Sequence, residues 1–413
     1  MAYAGATAGY AAGEQTNTTP IDYAQEAQYG TPPATDYQRL RHTGESLAPQ
    51  DSTSTPDEIN DLAEDGETVL TGRTTSGSVN GALSYGTYDD FLAGILTADW
   101  AVPFVLKAAA GAKISLIGAD AAAGGQSSLT VDDGTGKALP SFATVAVGDL
   151  ITVLDLTSGL AYAGHIAQVS DDKSALHFPA GTFGTKADAQ VLAVGATVTR
   201  PDIVNGKVNK TYSLRKKLAG ELQVFNGLMV NQAQISMQKG QTPTVQFDLV
   251  GSDMQIADAD VATSVKPVTG SPIMDVVTGF KGFSIFGTTP AGCPQSASIT
   301  LKRNNSAQDT GMGHVGACGN QFGSFAATIE LAYFFKDFQA FKAWQAAQKG
   351  PISVSIVDNE GYGYTFTLLN ARIFNPKNPV DAKNKTIVAT ITTTGNPVNG
   401  GGTFAISRIT PAV

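Results

Sequence analysis

The chain carries one pattern twice. Residues 76–96 read SGSVNGALSYGTYDDFLAGIL, and residues 322–344 read FGSFAATIELAYFFKDFQAFKAW. Both have an early Gly-Ser, at Gly77-Ser78 and at Gly323-Ser324. Both then alternate apolar with other residues: Val79, Gly81, Leu83 and Tyr85 against Phe325, Ala327, Ile329 and Leu331. Both next present an aromatic, an Asp and a Phe, as Tyr88 with Asp90-Phe91 and as Phe335 with Asp337-Phe338. Both finish in an apolar stretch of helical spacing close to a tryptophan, Trp100 or Trp344. A period of two that switches to a period of 3.6 is one strand-to-helix unit. Its recurrence predicts two copies of one fold, and repeats decide architecture before any local detail does.

A looser match supports the duplication. Residues 231–251, NQAQISMQKGQTPTVQFDLVG, and residues 370–395, NARIFNPKNPVDAKNKTIVATITTTG, each open with Asn. Each passes a Lys/Gly/Pro/Asn turn and enters a β-branched alternating run ending at Gly: Val245, Phe247, Leu249 in one, Ile387, Ala389, Ile391 in the other. Turn residues between such runs mark antiparallel hairpins.

Between the first helix and its closing strands lies extra chain, 108–205, rich in Ala, Gly, Val and Thr. Short alternating runs at Lys113–Ile117, Leu150–Leu154, His165–Val169 and Val194–Val198, with turn signals between them, predict a small β-barrel or sandwich inserted at an exposed loop tip. The expected organisation is an extended arm over 1–36, a first fold over 37–107 and 206–262, the insertion over 108–205, a linker over 263–277 and a second fold over 278–413. The fold class is mainly β, with one flanking helix per copy.

Composition narrows the function. At 413 residues with 42% hydrophobic content the chain can bury two or three cores. Charged residues are only 15%, consistent with a surface covered by partners. A net charge of −9 argues against tight nucleic-acid binding, which needs clustered Lys and Arg; the one basic knot, Arg215-Lys216-Lys217, reads as a solvated strand. Two cysteines, Cys293 and Cys318, make no disulfide framework, and free thiols are the default, with a bridge left open. No stretch approaches transmembrane length, and the N-terminus lacks a secretory pattern, so cytosolic synthesis and no membrane insertion are expected.

Catalytic and metal-binding patterns are missing. His42, His165, His177 and His314 show no ligand spacing. Asp132-Asp133-Gly134-Thr135-Gly136-Lys137 lacks the first Gly of a phosphate loop and has Ala138 where Ser or Thr would hold the metal, so it reads as a turn. Asp89-Asp90 before an apolar helical run is a helix-start signal. Neither a cofactor nor an enzymatic activity is expected.

The N-terminal segment Ile21–Pro32, IDYAQEAQYGTP, resembles the opening of the tail tube proteins of long-tailed, siphovirus-type bacteriophages: an extended segment with a Glu (Glu26), a Tyr29-Gly30-Thr31-Pro32 turn, then a strand over Tyr37–Leu47. The acidic loop Ser52–Glu67, the unit Gly77–Leu96, VGDLITV at Val147–Val153, VNGKVNKTYSLRKK at Val204–Lys217 and FNGLMVNQAQISM at Phe225–Met237 follow in the family's order. The resemblance implies a β-sandwich or barrel with a flanking helix, closed through sheet edges into rings that stack as a hollow tube conducting DNA. Closing a ring uses up sheet edges that are liabilities in a monomer.

Further expectations follow from that resemblance. Single-copy tube proteins form six-membered rings, so a two-copy chain is expected to form a trimeric ring with pseudo-sixfold symmetry and an outward-facing insertion. Expected partners are the chain itself, tape-measure, tail terminator and distal tail or baseplate proteins, and double-stranded DNA in transient passage. The expected location is the virion tail, after synthesis in the host cytoplasm. The arm is expected to lie along a neighbour. Two polar loops, 51–75 and 303–322, are candidates for ring stacking through Asp57, Glu58, Asp61, Glu64, Asn304, Asn305 and Asp309. The polar side of the repeated strands, at Ser78, Asn80, Ser84, Ser324 and Glu330, is the candidate lumen surface. The alternatives are another ring component on the same fold (a tail terminator, a baseplate ring or a secretion-type tube) and a β-rich carbohydrate-binding or adhesin module, for which two Trp make a poor aromatic platform.

Overall fold

The computed structural model describes residues 16, 19–57, 59, 64–218, 220–380 and 383–411. Alternating sequence becomes one large, two-faced sheet system. Its main elements, in chain order, are β1 (Ile21–Gln25), β2 (Ala48–Ser54), β3 (Val69–Ala82), α1 (Asp89–Leu96), β4 (Tyr212–Leu218), β5 (Glu221–Gln238), β6 (Thr244–Gly251), β7 (Pro294–Asn304), β8 (Ser324–Phe334), α2 (Gln339–Gln345), β9 (Lys349–Val357), β10 (Gly363–Lys377), β11 (Val388–Asn396) and β12 (Phe404–Ile409). The hydrogen-bonded order runs β2–β3–β6–β5–β7–β8–β11–β10, antiparallel throughout.

Period-two sequence decides which face is buried. One row across the sheet reads Gly81, Val245, Ile235, Ile299, Ile329, Thr393, Ile373. All seven are buried. They join a continuous core with Phe91, Phe247, Leu331 and Phe366. Two glycines sit at or next to strand ends for the same reason: a Cβ on Gly251, the last residue of β6, would sit 2.6 Å from Leu228 Cδ2, and one on Gly395, one residue before the end of β11, would sit 2.7 Å from Leu368 Cδ2.

The long strands bend between two partnerships. The first part of β5 pairs with β4 and with strand Asp253–Ala257, and its later part pairs with β6 and β7. The first part of β10 pairs with β9 and β12, and its later part pairs with β11. Bulges between Val230 and Gln232 and between Phe374 and Lys377 mark irregular register in the later parts.

The helices start differently from the sequence alignment. Tyr88 and Phe338 take the matching N-cap positions, so Asp90 lies inside the first turn of α1 whereas Asp337 precedes α2. Asp337 accepts the backbone N–H of Gln339 at 3.0 Å, a local bond that opens a helix without lying in it.

Residues 104–200 contain two smaller sheets. Leu150–Asp155, Leu160–His165, Thr197–Arg200 and Phe104–Lys107 form one; Lys113–Asp120, Gln126–Asp132, Ala175–Phe178 and two short strands form the other. They enclose a separate core around Leu116, Leu129, Phe142, Leu176, Phe178 and Val198. Phe104–Lys107, expected in the first fold, pairs instead with Thr197–Arg200.

Two segments expected to lie outside the folds are partly incorporated. β1, inside the expected arm, pairs with β4 and buries Ile21, Tyr23 and Ala24. In the expected linker, Ser264–Lys266 pairs in parallel with Asp36–Gln38, and Met274 is buried in the main core. Apolar side chains in otherwise polar stretches drive both.

Candidate assembly surfaces

The opposite face of the large sheet is polar along its whole width. A row next to the buried one reads Gly44, Asn80, Gln246, Gln234, Thr300, Thr328, Thr394, Arg372, spanning eight paired segments. All eight are half-buried. The row beyond it carries Ser78, Asp248, Gln232, Lys302 and Ala326. Hydroxyls and amides dominate, and Asp248, Lys302, Glu330 and Arg372 are scattered charges of both signs. Such a face offers no contiguous positive patch on which phosphates would lodge.

Four of the five lumen candidates lie on this face. Ser78 and Asn80 are on β3; Ser324 and Glu330, both exposed, are on β8. Glu330 pairs with Ser298 and Thr392 in mid-sheet. Asn80 Oδ1 is buried with no hydrogen-bond partner among the described residues. Ser84 is a correction. It lies beyond the end of β3, is 1% exposed, and its hydroxyl is bonded to that of Thr87 at 2.7 Å. The strand has already turned toward α1 there, so alternation no longer governs its direction. The residues missed on this face, Gln232, Gln234, Ser236, Gln246, Ser298, Thr300 and Thr392, stood in the sequence as the polar partners of alternating runs.

The two candidate stacking loops differ in their surroundings. β2 and β3 extend as a hairpin in which all seven β2 residues are exposed, and the loop beyond it leaves Asp57 and Glu64 exposed. Glu58 and Asp61 lie outside the described residues. The second loop is itself a small hairpin, Ala307–Asp309 against Gly319–Gln321, folded back on the first half of the chain. Asn304 ends β7 opposite Ser324, Asn305 turns with φ 58°, and Asp309 belongs to the short strand. Ser252 Oγ donates to Ala317 O at 2.7 Å, Tyr29 OH to Asn320 Oδ1 at 3.1 Å, and Asn320 Nδ2 to Gly227 O at 2.8 Å.

Both edges of the eight-segment order are open among the described residues. β2 pairs only with β3. β10 beyond Arg372 pairs only with β11, and Phe374 is 39% exposed. Inside the order, β5 and β7 make a seven-pair ladder from Gln232↔Lys302 to Gln238↔Ser296.

Buried polar groups lock the N-terminal segment. The Glu26 carboxylate accepts from Gly30 N at 3.0 Å, Thr211 Oγ1 at 2.8 Å, Ser213 Oγ at 2.7 Å and Gly227 N at 2.8 Å. Arg215 reaches Asp22 and Asp260 and lies 4.4 Å from the Tyr37 ring centroid. Burial raises the Tyr23 phenol far above its ordinary range, aided by the Asp90 carboxylate that accepts its proton at 2.9 Å. These contacts position chain rather than activate it. Among the described residues no group of three or more His, Cys, Asp or Glu side chains could hold a metal ion, and Cys293 and Cys318 are free, exposed thiols. No described helix is long and apolar enough to cross a membrane.

No curated protein matches the chain. The family model described as "Phage tail tube protein" matches residues 16–395. That span contains the Glu26 lock, the polar sheet face, both helices and the β5–β7 join, and the chain belongs to the phage tail tube protein family, structural and non-enzymatic components of the virion tail that polymerise into tubes.

Proposed function

We propose that this chain is the major tail tube subunit of a siphovirus-type tail, that it carries two tube folds in tandem, and that three chains close each ring. The observation that carries the reading is the β5–β7 ladder together with the pattern on either side of it. Glu45 pairs with Val79 as Arg303 pairs with Phe325, and β3, β6 and β5 follow that edge in the first half as β8, β11 and β10 follow β7 in the second. The strand order therefore repeats every four strands, and the chain makes one such join internally. Repeating it between chains brings the open end of β10 to the 44–54 edge of the next subunit, and three repeats close a ring with pseudo-sixfold symmetry.

In this arrangement the polar rows line the channel, Ser78, Asn80, Ser324 and Glu330 among them. Sparse charge of mixed sign lets DNA slide, whereas a basic lining would hold it by counterion release. The β2–β3 hairpin and the loop beyond it, where Asp57 and Glu64 are exposed, reach the neighbouring ring, and Glu58 and Asp61 remain candidates for the same contact. The hairpin holding Asn304, Asn305 and Asp309 takes a smaller share, since its polar groups are engaged within the chain. The domain over 108–205 faces outward, and tape-measure, terminator and distal tail proteins meet the tube inside it and at its ends.

End-on electron microscopy of particles or of concentrated protein tests the reading. Rings of three chains, each giving two similar lobes, are expected. Six chains per ring would remove the tandem reading, and a low copy number per virion would make the chain a terminator or baseplate ring instead.

A further inference from the structure

α1 and α2 sit alike on the sheet but differ on their outer sides. α1 packs on β5 and α2 on β10. Six residues of α1, from Phe91 to Leu96, are buried. Part of that cover comes from the second half of the same chain. Arg303 of β7 donates to Ile95 O from Nη2 at 2.7 Å and from Nε at 3.1 Å, and to Thr97 Oγ1 at 2.7 Å. Tyr364 donates to Asp89 at 2.5 Å, and Arg408 lies 4.0 Å from the Trp100 ring centroid. α2 has only Ala340 buried. Phe338 is 55% exposed and Trp344 42%. Phe335, Phe338 and Phe341 form an edge-to-face cluster with centroids 4.9–6.0 Å apart. Phe335 and Phe341 rest partly on the main core and leave Phe338 and Trp344 exposed; exposed aromatics of this kind mark interaction sites.

The strand order says what belongs there. α1 is capped from β7, the strand beside β5. No strand of this chain's described residues stands in that place beside the end of β10. The backbone at Ser46 closes on Gly77 as that at Asn304 closes on Gly323, and Glu45 pairs with Val79 as Arg303 pairs with Phe325. Glu45 thus stands where Arg303 stands. The helices differ in the complementary sense: α1 has no base in its last turn, and α2 has Lys342. Charge is divided the same way on a larger scale, with Lys and Arg in excess over 278–413 and Asp and Glu in excess over 37–107 and 206–262.

We propose that the aromatic face of α2 is a docking surface for a second copy of this chain, covered by that copy's edge segment Gly44–Glu45, which leads into β2, with Glu45 facing Lys342. The inference rests on the ring reading above. Glu45 already accepts from Lys216 Nζ at 2.8 Å and from Leu47 N at 3.1 Å, and its carboxylate keeps further lone pairs for Lys342. Head-to-tail complementarity of this kind gives register and specificity beyond the apolar area buried.

The test follows Trp344 in the full chain. Acrylamide quenching of tryptophan fluorescence is compared between dissolved subunits and assembled tubes, with Trp344→Phe supplying the Trp100 baseline. Quenching of the Trp344 component is expected to fall severalfold on assembly, with a blue shift. Tubes in which Trp344 stays as quenchable as in the subunit overturn the docking surface and leave the ring reading standing. A wild-type chain that forms no ring in any particle overturns both. As a second measurement, the pair Phe338→Ser and Lys342→Glu changes exposed side chains, so the thermal midpoint of the subunit is expected to hold while the concentration needed for assembly rises at least tenfold. Unchanged assembly of that variant overturns the proposal.

Discussion

The Arg303 guanidinium holds the carbonyl oxygen of Ile95, 208 positions earlier in the chain, from two of its nitrogens at once. Carbonyl oxygens at a helix C-terminus are unsatisfied and carry partial negative charge. Here a cation from the other half of the chain answers that need, and burial lowers its pKa to about 10, still well above neutral pH. Arg303→Met is expected to lose about 2–3 kcal/mol of stability, measured by urea unfolding, because it removes charge-assisted bonds from a partly buried site. Arg303→Lys is expected to recover less than half of that, since a single ammonium cannot reproduce the fork.

Glu26 gives a second prediction. Four donors converge on its carboxylate from three parts of the chain. Glu26→Ala leaves all four without a partner and is expected to cost about 3 kcal/mol or more. Glu26→Gln keeps an acceptor oxygen and is expected to cost roughly half as much. Proteolytic release of the segment before Tyr37, followed by mass spectrometry, should track the same order.

Alkaline pH should unfold the subunit cooperatively. Burial raises the phenols of Tyr88 and Tyr333 to about 12, and those of Tyr23, Tyr212 and Tyr364 further. A folded-state pKa above the unfolded value near 10 contributes stability that is complete below pH 10 and is lost as pH rises through the folded value. Tyrosinate absorbance is therefore expected to lag at pH 10–11 and then rise steeply together with loss of β-sheet circular dichroism. A gradual titration of all phenols near pH 10, with the fold intact, would contradict this.

The polar row provides a fourth prediction. Gln234 and Thr300 are directly paired, half-buried and on the polar side. Gln234→Lys with Thr300→Lys should change subunit stability by about 1 kcal/mol or less, as surface changes do. In assembled particles the pair should slow DNA ejection severalfold at low salt, with the rate recovering at high salt as counterions screen the new charges. Ejection kinetics indifferent to both charge and salt would remove these positions from the channel.

Alternation was what the sequence displayed most openly. Val79, Ile235, Phe247, Ile299 and Ile329 stand at every second place, and each is buried. Their polar partners, such as Gln234 and Thr300, were equally visible, but only pairing across strands makes them one face, and pairing is a long-range property. Ser84 went astray because period-two reasoning has no signal for where a strand ends. Asp337 and Asp90 were matched by identity of neighbours, whereas the helix starts are set by which backbone turns first, at Tyr88 and Phe338. β1 falls within the expected extended arm because five residues with one Asp and one Gln show too little pattern for a strand; its burial depends on β4, nearly two hundred residues away. The open side of α2 was beyond sequence reasoning, since an amphipathic helix looks the same whether its partner is in its own chain or another.

The seven-pair ladder between β5 and β7 is made while the polypeptide folds, so it forms at a rate and to an extent that do not depend on how much protein is present. A contact between separate molecules must be bought from translational freedom at every encounter, while one tethered by the chain behaves as if its partner were always at high local concentration. On the proposed tandem reading, fusing the two sides also releases them from having to be identical: Arg303 and Glu45 can then occupy like places with opposite charge, and one side can carry an extra domain, because each position in the chain is free to drift on its own.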